Sequence, residues 1–177
     1  MAKILAFAGS NSSTSINYRL VKHTLTKIEG HETRLLNMVN YPFPMYSEDE
    51  ERQKGFSNSL IEFKDDIQKV DGLIISVSEH NSNPSAYFKN VLDWLSRLER
   101  NFLEDKHVLL MATSPGKRGG VGALDVVAQL LPRFGATLAA TFTLPSFSQH
   151  FDDSEGIVDA ELNAAHQEAL DAFLKAL

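Results

Sequence analysis

Three short runs of almost uninterrupted apolar residues constrain the fold of this chain more than any other feature. They are Lys3 to Gly9, Gly72 to Val77 and His107 to Ala112. A strand that is apolar at nearly every position has both faces buried, as in a parallel sheet covered by helices on both sides. The sequence therefore predicts a parallel sheet between two helical layers.

Segments with helical spacing of apolar residues alternate with these runs and with two weaker strand candidates, Thr33 to Met38 and Thr137 to Leu144. Such alternation favours right-handed crossovers and a doubly wound α/β sheet of five strands. No internal repeat or linker interrupts the pattern, so residues 1–177 are predicted to form a single domain. The predicted helices cover Ile16 to Ile28, Arg52 to Val70, Ser85 to Arg97, the stretch up to about Leu131, and Asp159 to Leu177.

Charge and composition exclude several classes of protein. The net charge of −6 is the wrong sign for holding nucleic acid phosphates, so no nucleic acid partner is expected. The chain has no cysteine, which excludes disulfides, thiolate metal sites and cysteine nucleophiles. The apolar stretch near the N-terminus is too short for a signal peptide, and no run reaches the length of a membrane span. A cytoplasmic protein without a membrane partner is expected.

The loop after the first strand carries five hydroxyl residues between Gly9 and Ile16. It leads into a helix N-terminus, where free amides and the helix dipole favour an anion. Hydroxyls and amides suit the phosphate of a mononucleotide, whereas the G-x-G-x-x-G dinucleotide pattern and the P-loop pattern are both missing. The alternative is that Ser13 or Ser15 is only a helix cap.

Two more loops at the same edge of the predicted sheet are candidates for ligand contact. Ser78 to Pro84 is polar, and its Glu79 and Asn81 are expected to hold the loop by hydrogen bonds to the backbone. Thr113 to Gly122 contains four glycines, which permit positive φ and close approach to a flat ligand. In that loop Lys117 and Arg118 either attract phosphates of a nicotinamide nucleotide or are ordinary solvated charges.

The spacing of residues in these loops resembles the NADPH-dependent FMN reductase family, a flavodoxin-like group. The segment Glu79-x-Asn81 is followed by Phe88-Lys89-Asn90-x-x-Asp93-Trp94, and Gly9-Ser10, Ser15-x-Asn17 and Ser114-Pro115-Gly116 occur in the same order as in the family. The resemblance spans most of the chain. It implies a three-layer flavodoxin-like sheet of order 2-1-3-4-5, bound FMN, and NADPH or NADH as co-substrate.

The resemblance also implies which residues contact the flavin. The FMN phosphate would lie on the first loop, the isoalloxazine against the third-strand loop, and its pyrimidine end under the glycine loop. This chain has Ser12, Ser78 and His80 where members of the family often have arginine, proline and tyrosine. The implied cofactor contacts are Ser10, Ser12, Ser15, Ile16, Asn17, Ser78, Glu79, His80, Asn81, Ser114, Gly116, Gly119 and Gly120.

The function implied is hydride transfer from NAD(P)H through bound FMN to a small acceptor: free flavin, a quinone, an azo compound or a metal oxyanion. No catalytic side chain and no metal site is predicted, because the flavin carries the chemistry. The alternative is a flavodoxin-like electron carrier that serves a protein partner. A serine hydrolase is disfavoured because no G-x-S-x-G pattern occurs. A homodimer or homotetramer is expected, with Phe88 and Trp94 as possible interface residues.

Overall fold

The computed structural model describes all residues from Met1 to Leu177 and contains one five-stranded parallel sheet. Its strands are β1 (Lys3–Gly9), β2 (Glu32–Leu36), β3 (Gly72–Val77), β6 (His107–Thr113) and β7 (Thr137–Leu144). Their spatial order is β2-β1-β3-β6-β7, and every neighbouring pair is parallel. This is the predicted flavodoxin-like order of the five strands, so the predicted fold class is confirmed.

Seven helices connect the strands and cover the sheet. They are α1 (Ile16–Leu25), α2 (Glu48–Lys54), α3 (Asn58–Gln68), α4 (Ala86–Leu98), α5 (Val121–Leu130), α6 (Phe147–His150) and α7 (Ala160–Ala176). Two antiparallel hairpins stand outside the sheet, β4 (Glu79–His80) with β5 (Asn83–Pro84), and β8 (Phe151–Asp152) with β9 (Gly156–Ile157). No helix combines the length and the apolar character that a bilayer-spanning segment requires.

The two faces of the sheet form two separate cores. In β1, Leu5 and Phe7 pack into a core that includes residues of α3, α4 and α5, whereas Ile4 and Ala6 pack with residues of α1 and α7. Alternation along one strand thus supplies both cores, which explains why the strand is apolar throughout. The three-layer arrangement predicted from the apolar runs is therefore observed.

The helix predicted from Arg52 to Val70 is wrong in its extent. The structure contains two helices, and the first one starts at Glu48, where the Ser47 side chain accepts a hydrogen bond from the amide of Glu50. It ends at Gly55, whose φ of 67° is incompatible with a continuing helix. Ser57 then caps the second helix in the same way through the amide of Leu60.

Phe88 and Trp94, which we considered as interface residues, are 1% and 3% exposed within the single chain. Both belong to the core beneath α4. The Phe88 ring lies so close to the backbone of Gly9 that a β-carbon there would be 2.6 Å from it. Core packing therefore explains these aromatic residues, and the interface assignment is wrong for this pair.

Candidate functional site

The loops that follow β1, β3 and β6 converge at the carboxyl edge of the sheet. The carbonyl of Gly9 accepts hydrogen bonds from the hydroxyls of both Ser78 and Ser85, each at 3.0 Å. These bonds join the end of β1 to both ends of the loop after β3. The end of β1 and the loop after β3 are therefore hydrogen-bonded to each other. They lie at the edge of the sheet where doubly wound folds bind their ligands.

The first loop is stabilised by its own hydroxyls. Ser10 Oγ accepts from the amide of Ser12 at 3.2 Å, and Ser12 Oγ accepts from the amide of Thr14 at 3.3 Å. Ser15 is the N-cap of α1 and accepts from the amide of Tyr18 at 3.2 Å, so the cap interpretation holds for Ser15. Ser12 and Thr14 remain exposed, and their hydroxyl oxygens lie 3.3 Å apart.

The first turn of α1 leaves two backbone donors free. The amides of Ile16 and Asn17 have no acceptor within the chain, because the capping bond of Ser15 is made to the following residue, Tyr18. Free amides at a helix N-terminus suit an anion. The first loop therefore offers Ile16 and Asn17 as backbone donors beside exposed hydroxyls.

The Asn17 side chain has a different role from the one predicted. It is 3% exposed and points into the sheet, where its amide nitrogen donates to the carbonyl of Thr113 at 3.1 Å. Its oxygen accepts from the hydroxyl of Ser76 at 2.7 Å and from the amide of Thr113 at 3.0 Å. The side chain thus fastens α1 to the ends of β3 and β6, and only the backbone amide of Asn17 is available to a ligand.

The loop after β3 is the tight hairpin of β4 and β5. Asn81 and Ser82 at its tip have φ of 53° and 59°, as in the two-residue turns whose central residues both need positive φ. One carboxylate oxygen of Glu79 accepts from the amide of Ala123 in the first turn of α5 at 3.0 Å. Glu79 therefore holds the hairpin against α5, as expected, while His80 and Asn81 are exposed.

The glycine loop after β6 is fastened to the chain after β7. The carbonyls of Ser114 and Gly116 accept from the amides of Phe147 and Ser146 at 3.1 and 2.9 Å. Gly119 and Gly120 are buried with φ of 61° and 82°, and a β-carbon on Gly119 would be 3.0 Å from the backbone at Leu144. The amide of Gly119 is already bonded to the carbonyl of Gly116 at 3.1 Å.

The amide of Gly119 is therefore not free to bind a ligand. That residue provides close packing, and Gly120 begins α5 in a left-handed conformation without a side-chain cap. Gly116 lies on the exposed part of the loop, and its amide has no acceptor in the chain. Of the predicted loop contacts, Gly116 and the half-buried Ser114 remain accessible.

Three residues of α4 that the sequence did not single out as positioning residues hold the loop after β2. Asn90 accepts from the amide of Tyr46 at 2.7 Å and donates to the carbonyl of Pro44 at 2.9 Å. The Trp94 indole donates to the same carbonyl at 2.8 Å. The Tyr87 hydroxyl lies 3.1 and 2.9 Å from two further carbonyl oxygens of this segment, which share its single donor hydrogen. Asn90 and Trp94 are four residues apart, a helical spacing that was visible in the sequence.

An ionic cluster at the surface supports the same loop. Glu51 accepts from the hydroxyl of Tyr46 at 2.9 Å and from the Nε of Arg97 at 3.0 Å. The hydrogen bond from Arg97, followed by that from Tyr46, lowers the pKa of the Glu51 carboxyl. Desolvation first, and then the hydrogen bond to Glu51, raises the pKa of Tyr46. The loop after β2 is thus tied to α4 both by core contacts and by this cluster.

Comparison with known proteins identifies the family. The family model described as NADPH-dependent FMN reductase matches residues 2–149. The chain belongs to this family. It is 29% identical over 130 residues to a quinone reductase of Escherichia coli, covering 73% of this chain and 69% of that protein. It is 28% identical over 171 residues to an NADPH:quinone oxidoreductase of Arabidopsis thaliana, covering 90% of this chain and 83% of that protein.

The fold is shared with a solved oxidoreductase structure. The flavoenzyme NAD(P)H:(acceptor) oxidoreductase FerB of Paracoccus denitrificans superposes with a TM-score of 0.80 at 23% identity, covering 99% of this chain and 96% of that chain. The family resemblance found in the sequence is confirmed. The chain is an oxidoreductase of the FMN reductase type, and membership in the family implies use of FMN and NAD(P)H.

Proposed function

We propose that this chain binds FMN with its phosphate on the first loop and passes hydride from NAD(P)H through the flavin to a small acceptor. The observation that carries the proposal is the pair of free amides at Ile16 and Asn17 beside exposed hydroxyls. A phosphate monoester needs several donors around its oxygens, and amides and hydroxyls supply them without a cation. The residues present therefore fit the phosphate of FMN.

Three groups of residues orient the flavin in this proposal. The amides of Ile16 and Asn17, with the exposed hydroxyls of Ser12 and Thr14, bind the phosphate. The hairpin tip flanks the ring through its backbone and is kept in place by the bond between Glu79 and Ala123. The free amide of Gly116 lies on the loop proposed to cover the pyrimidine end.

FMN would itself supply the hydride chemistry. The protein has to hold the flavin in a reactive orientation and provide a suitable electrostatic environment around it. Ser78 and Ser85 hydrogen-bond to the Gly9 carbonyl and Glu79 to the Ala123 amide, so in this proposal these side chains fix backbone groups around the flavin. Such groups bind and orient without exchanging protons. A site of this kind is compatible with several acceptors, and we propose a small molecule such as free flavin, a quinone, an azo compound or a metal oxyanion.

Anaerobic mixing of the FMN-loaded protein with NADPH or NADH tests this proposal. We expect the visible flavin absorption to bleach with at least one nucleotide and to return when a quinone or free flavin is added. A flavodoxin-like carrier, the alternative, would keep its oxidised spectrum with both nucleotides. Persistent oxidised flavin would therefore contradict the proposed function.

Three expectations from the sequence remain predictions: a single domain over residues 1–177, a cytoplasmic location, and a homodimer or homotetramer. Light scattering coupled to size-exclusion chromatography measures the last of these. A mass of twice or four times 19.7 kDa would confirm it, and a monomer would contradict it.

A further inference from the structure

The distribution of charge over the carboxyl edge of the sheet is uneven. Five loops leave this edge, covering residues 10–15, 37–47, 78–85, 114–120 and 145–159. Among all their residues, Lys117 and Arg118 are the only lysine or arginine. The same loops carry Glu79 and several carboxylates around the β8–β9 hairpin. Within these five loops, lysine and arginine therefore offer an anionic substrate positive charge in one place only.

Lys117 and Arg118 are free to bind an anion. Both are exposed, and neither makes an ion pair or a side-chain hydrogen bond within the chain. Two other cations near this edge are already paired. Arg19 contacts Asp153 at 2.7 Å, and Lys54 contacts Glu50 at 2.9 Å.

The loop that presents the two cations has a fixed base. Gly119 is packed against the backbone at Leu144, and the carbonyl of Gly116 accepts from the amides of both Gly119 and Ser146. The two cations lie between these fixed glycines. Their backbone position is therefore defined, while their long side chains can adapt to a phosphate.

The proposed phosphate site for FMN does not use these charges, because the first loop contains no lysine or arginine. The nicotinamide nucleotide is the other phosphate-bearing molecule in the proposed reaction. NADPH differs from NADH by a 2′-phosphate, which adds about 1.5 to 2 negative charges at pH 7. In a protein of net charge −6, the more negative nucleotide depends more on local cations.

We infer that Lys117 and Arg118 select NADPH over NADH by binding the phosphates of the incoming nucleotide, above all the 2′-phosphate. This inference rests on the proposed function, since it assumes that the nucleotide docks at the same edge as the flavin. The two residues are specificity-determining residues and take no part in hydride transfer. Their removal changes nucleotide binding and leaves the flavin chemistry intact.

Equilibrium binding of NADP⁺ and NAD⁺ to the oxidised, FMN-loaded protein tests the inference by calorimetry. The test variant combines Lys117→Gln with Arg118→Gln. The control combines Lys69→Gln with Lys175→Gln, which makes the same change in net charge. Both control residues are exposed: Lys69 follows α3 and Lys175 lies in the last turn of α7, at the opposite edge of the sheet. Neither makes an ion pair.

The test variant should bind NADP⁺ about tenfold more weakly than the wild type, with a smaller loss for NAD⁺. The control should change neither affinity by more than about twofold, and the difference should shrink at high salt because screening weakens exposed charge pairs. The ratio of kcat/KM for NADPH to that for NADH should fall in parallel.

Equal losses for NADP⁺ and NAD⁺, an unchanged NADP⁺ affinity, or a wild type that binds NADP⁺ no better than NAD⁺ would overturn the inference. The proposed function is judged separately by whether either reduced nucleotide bleaches the flavin. A wild type that is bleached while its variants keep full NADP⁺ affinity would leave the function standing and refute only the role of the two cations.

Discussion

At the scale of single residues, Asn17 shows how a side chain near a ligand site can serve the fold. Its three hydrogen bonds to Ser76 and Thr113 are buried and connect three elements of the structure. Ser15-x-Asn17 was visible as a motif, but no pattern in the sequence tells whether Asn17 faces the ligand or the sheet. The direction of the Asn17 side chain depends on where β6 ends, because the side chain bonds to Thr113 at that end. Tertiary packing sets that position.

Asn17→Ala should therefore destabilise the protein. It leaves the buried amide of Thr113 and the hydroxyl of Ser76 without their partner, which should lower the free energy of unfolding by about 2–4 kcal/mol. Urea denaturation measures the effect. The matched control is Asn11→Ala, since Asn11 is exposed in the same loop and its side chain has no partner, so we expect less than about 0.5 kcal/mol. Equal stability of the two variants would contradict this role.

His166 is a second residue whose role depends on burial. It is 1% exposed on α7, its Nε2 lies 2.9 Å from the hydroxyl of Thr24, and its Nδ1 has no partner. Burial, with smaller contributions from nearby His23 and Lys27, lowers the pKa of His166 to about 4. Burial followed by Lys27 also lowers the pKa of His23, whose ring centroid lies 5.8 Å from that of His166.

Acid should destabilise the protein through this pair. An unfolded histidine titrates near 6.5, so between that pH and about 4 the unfolded chain binds more protons than the folded one. The contribution of neutral His166 is complete above pH 6.5 and is lost as the pH falls towards 4. For His166 alone we expect the free energy of unfolding at pH 5 to be about 2 kcal/mol lower than at pH 7.

Urea unfolding at pH 7 and pH 5 measures whether the protein is less stable at the lower pH and whether His166 causes the difference. His166→Gln should reduce the difference between pH 7 and pH 5, whereas His80→Gln, at an exposed hairpin position, should keep the wild-type difference. A wild-type protein that is equally stable at both values, or a His166→Gln variant with an unchanged pH dependence, would contradict the assignment.

At the scale of elements, the long apolar runs and periodic helices were predictable and the short elements were not. The strands β1, β3 and β6 are buried on both faces, so their sequences are unambiguous. The hairpins β4–β5 and β8–β9 have strands of two residues, too short to give a periodic pattern. They are stable because the surrounding chain holds them, as Glu79 and α5 do for the first hairpin.

The mobility of the loop after β2 should depend strongly on α4, because side chains of that helix bind the loop backbone. Asn90→Ala removes the acceptor of the Tyr46 amide and one of the two donors to the Pro44 carbonyl. We expect hydrogen exchange of the Tyr46 amide to become at least about tenfold faster, since a lost hydrogen bond of roughly 1.4 kcal/mol corresponds to that factor. Mass spectrometry of peptides covering residues 41–47 measures it.

Ser96→Ala is the matched control for this measurement, because the Ser96 hydroxyl bonds only to the carbonyl of Asp93 within the same helix. This variant should leave exchange in residues 41–47 unchanged. If Asn90→Ala also left it unchanged, the loop would have to be held by Trp94, Tyr87 and the Glu51 cluster alone.

At the scale of the whole molecule, the order of the strands determines where a ligand can bind. With β1 and β3 adjacent and β2 on the far side of β1, the crossovers diverge at the end of these two strands. That point brings together the first loop and the loop after β3, and the predicted site residues lie there. The sequence was therefore enough to place the candidate residues at one edge of the sheet, whereas it did not separate those that face outward from those that pack within the fold.

The affinity of the flavin-free protein for FMN and for riboflavin, which lacks the phosphate, tests the central claim most directly. Two hydrogen bonds from the Ile16 and Asn17 amides to a charged phosphate should each contribute about 1.5 kcal/mol, so FMN should bind about a hundredfold more tightly. Titration followed by flavin fluorescence gives both dissociation constants. Equal affinities, or no uptake of FMN at all, would contradict a phosphate site on the first loop.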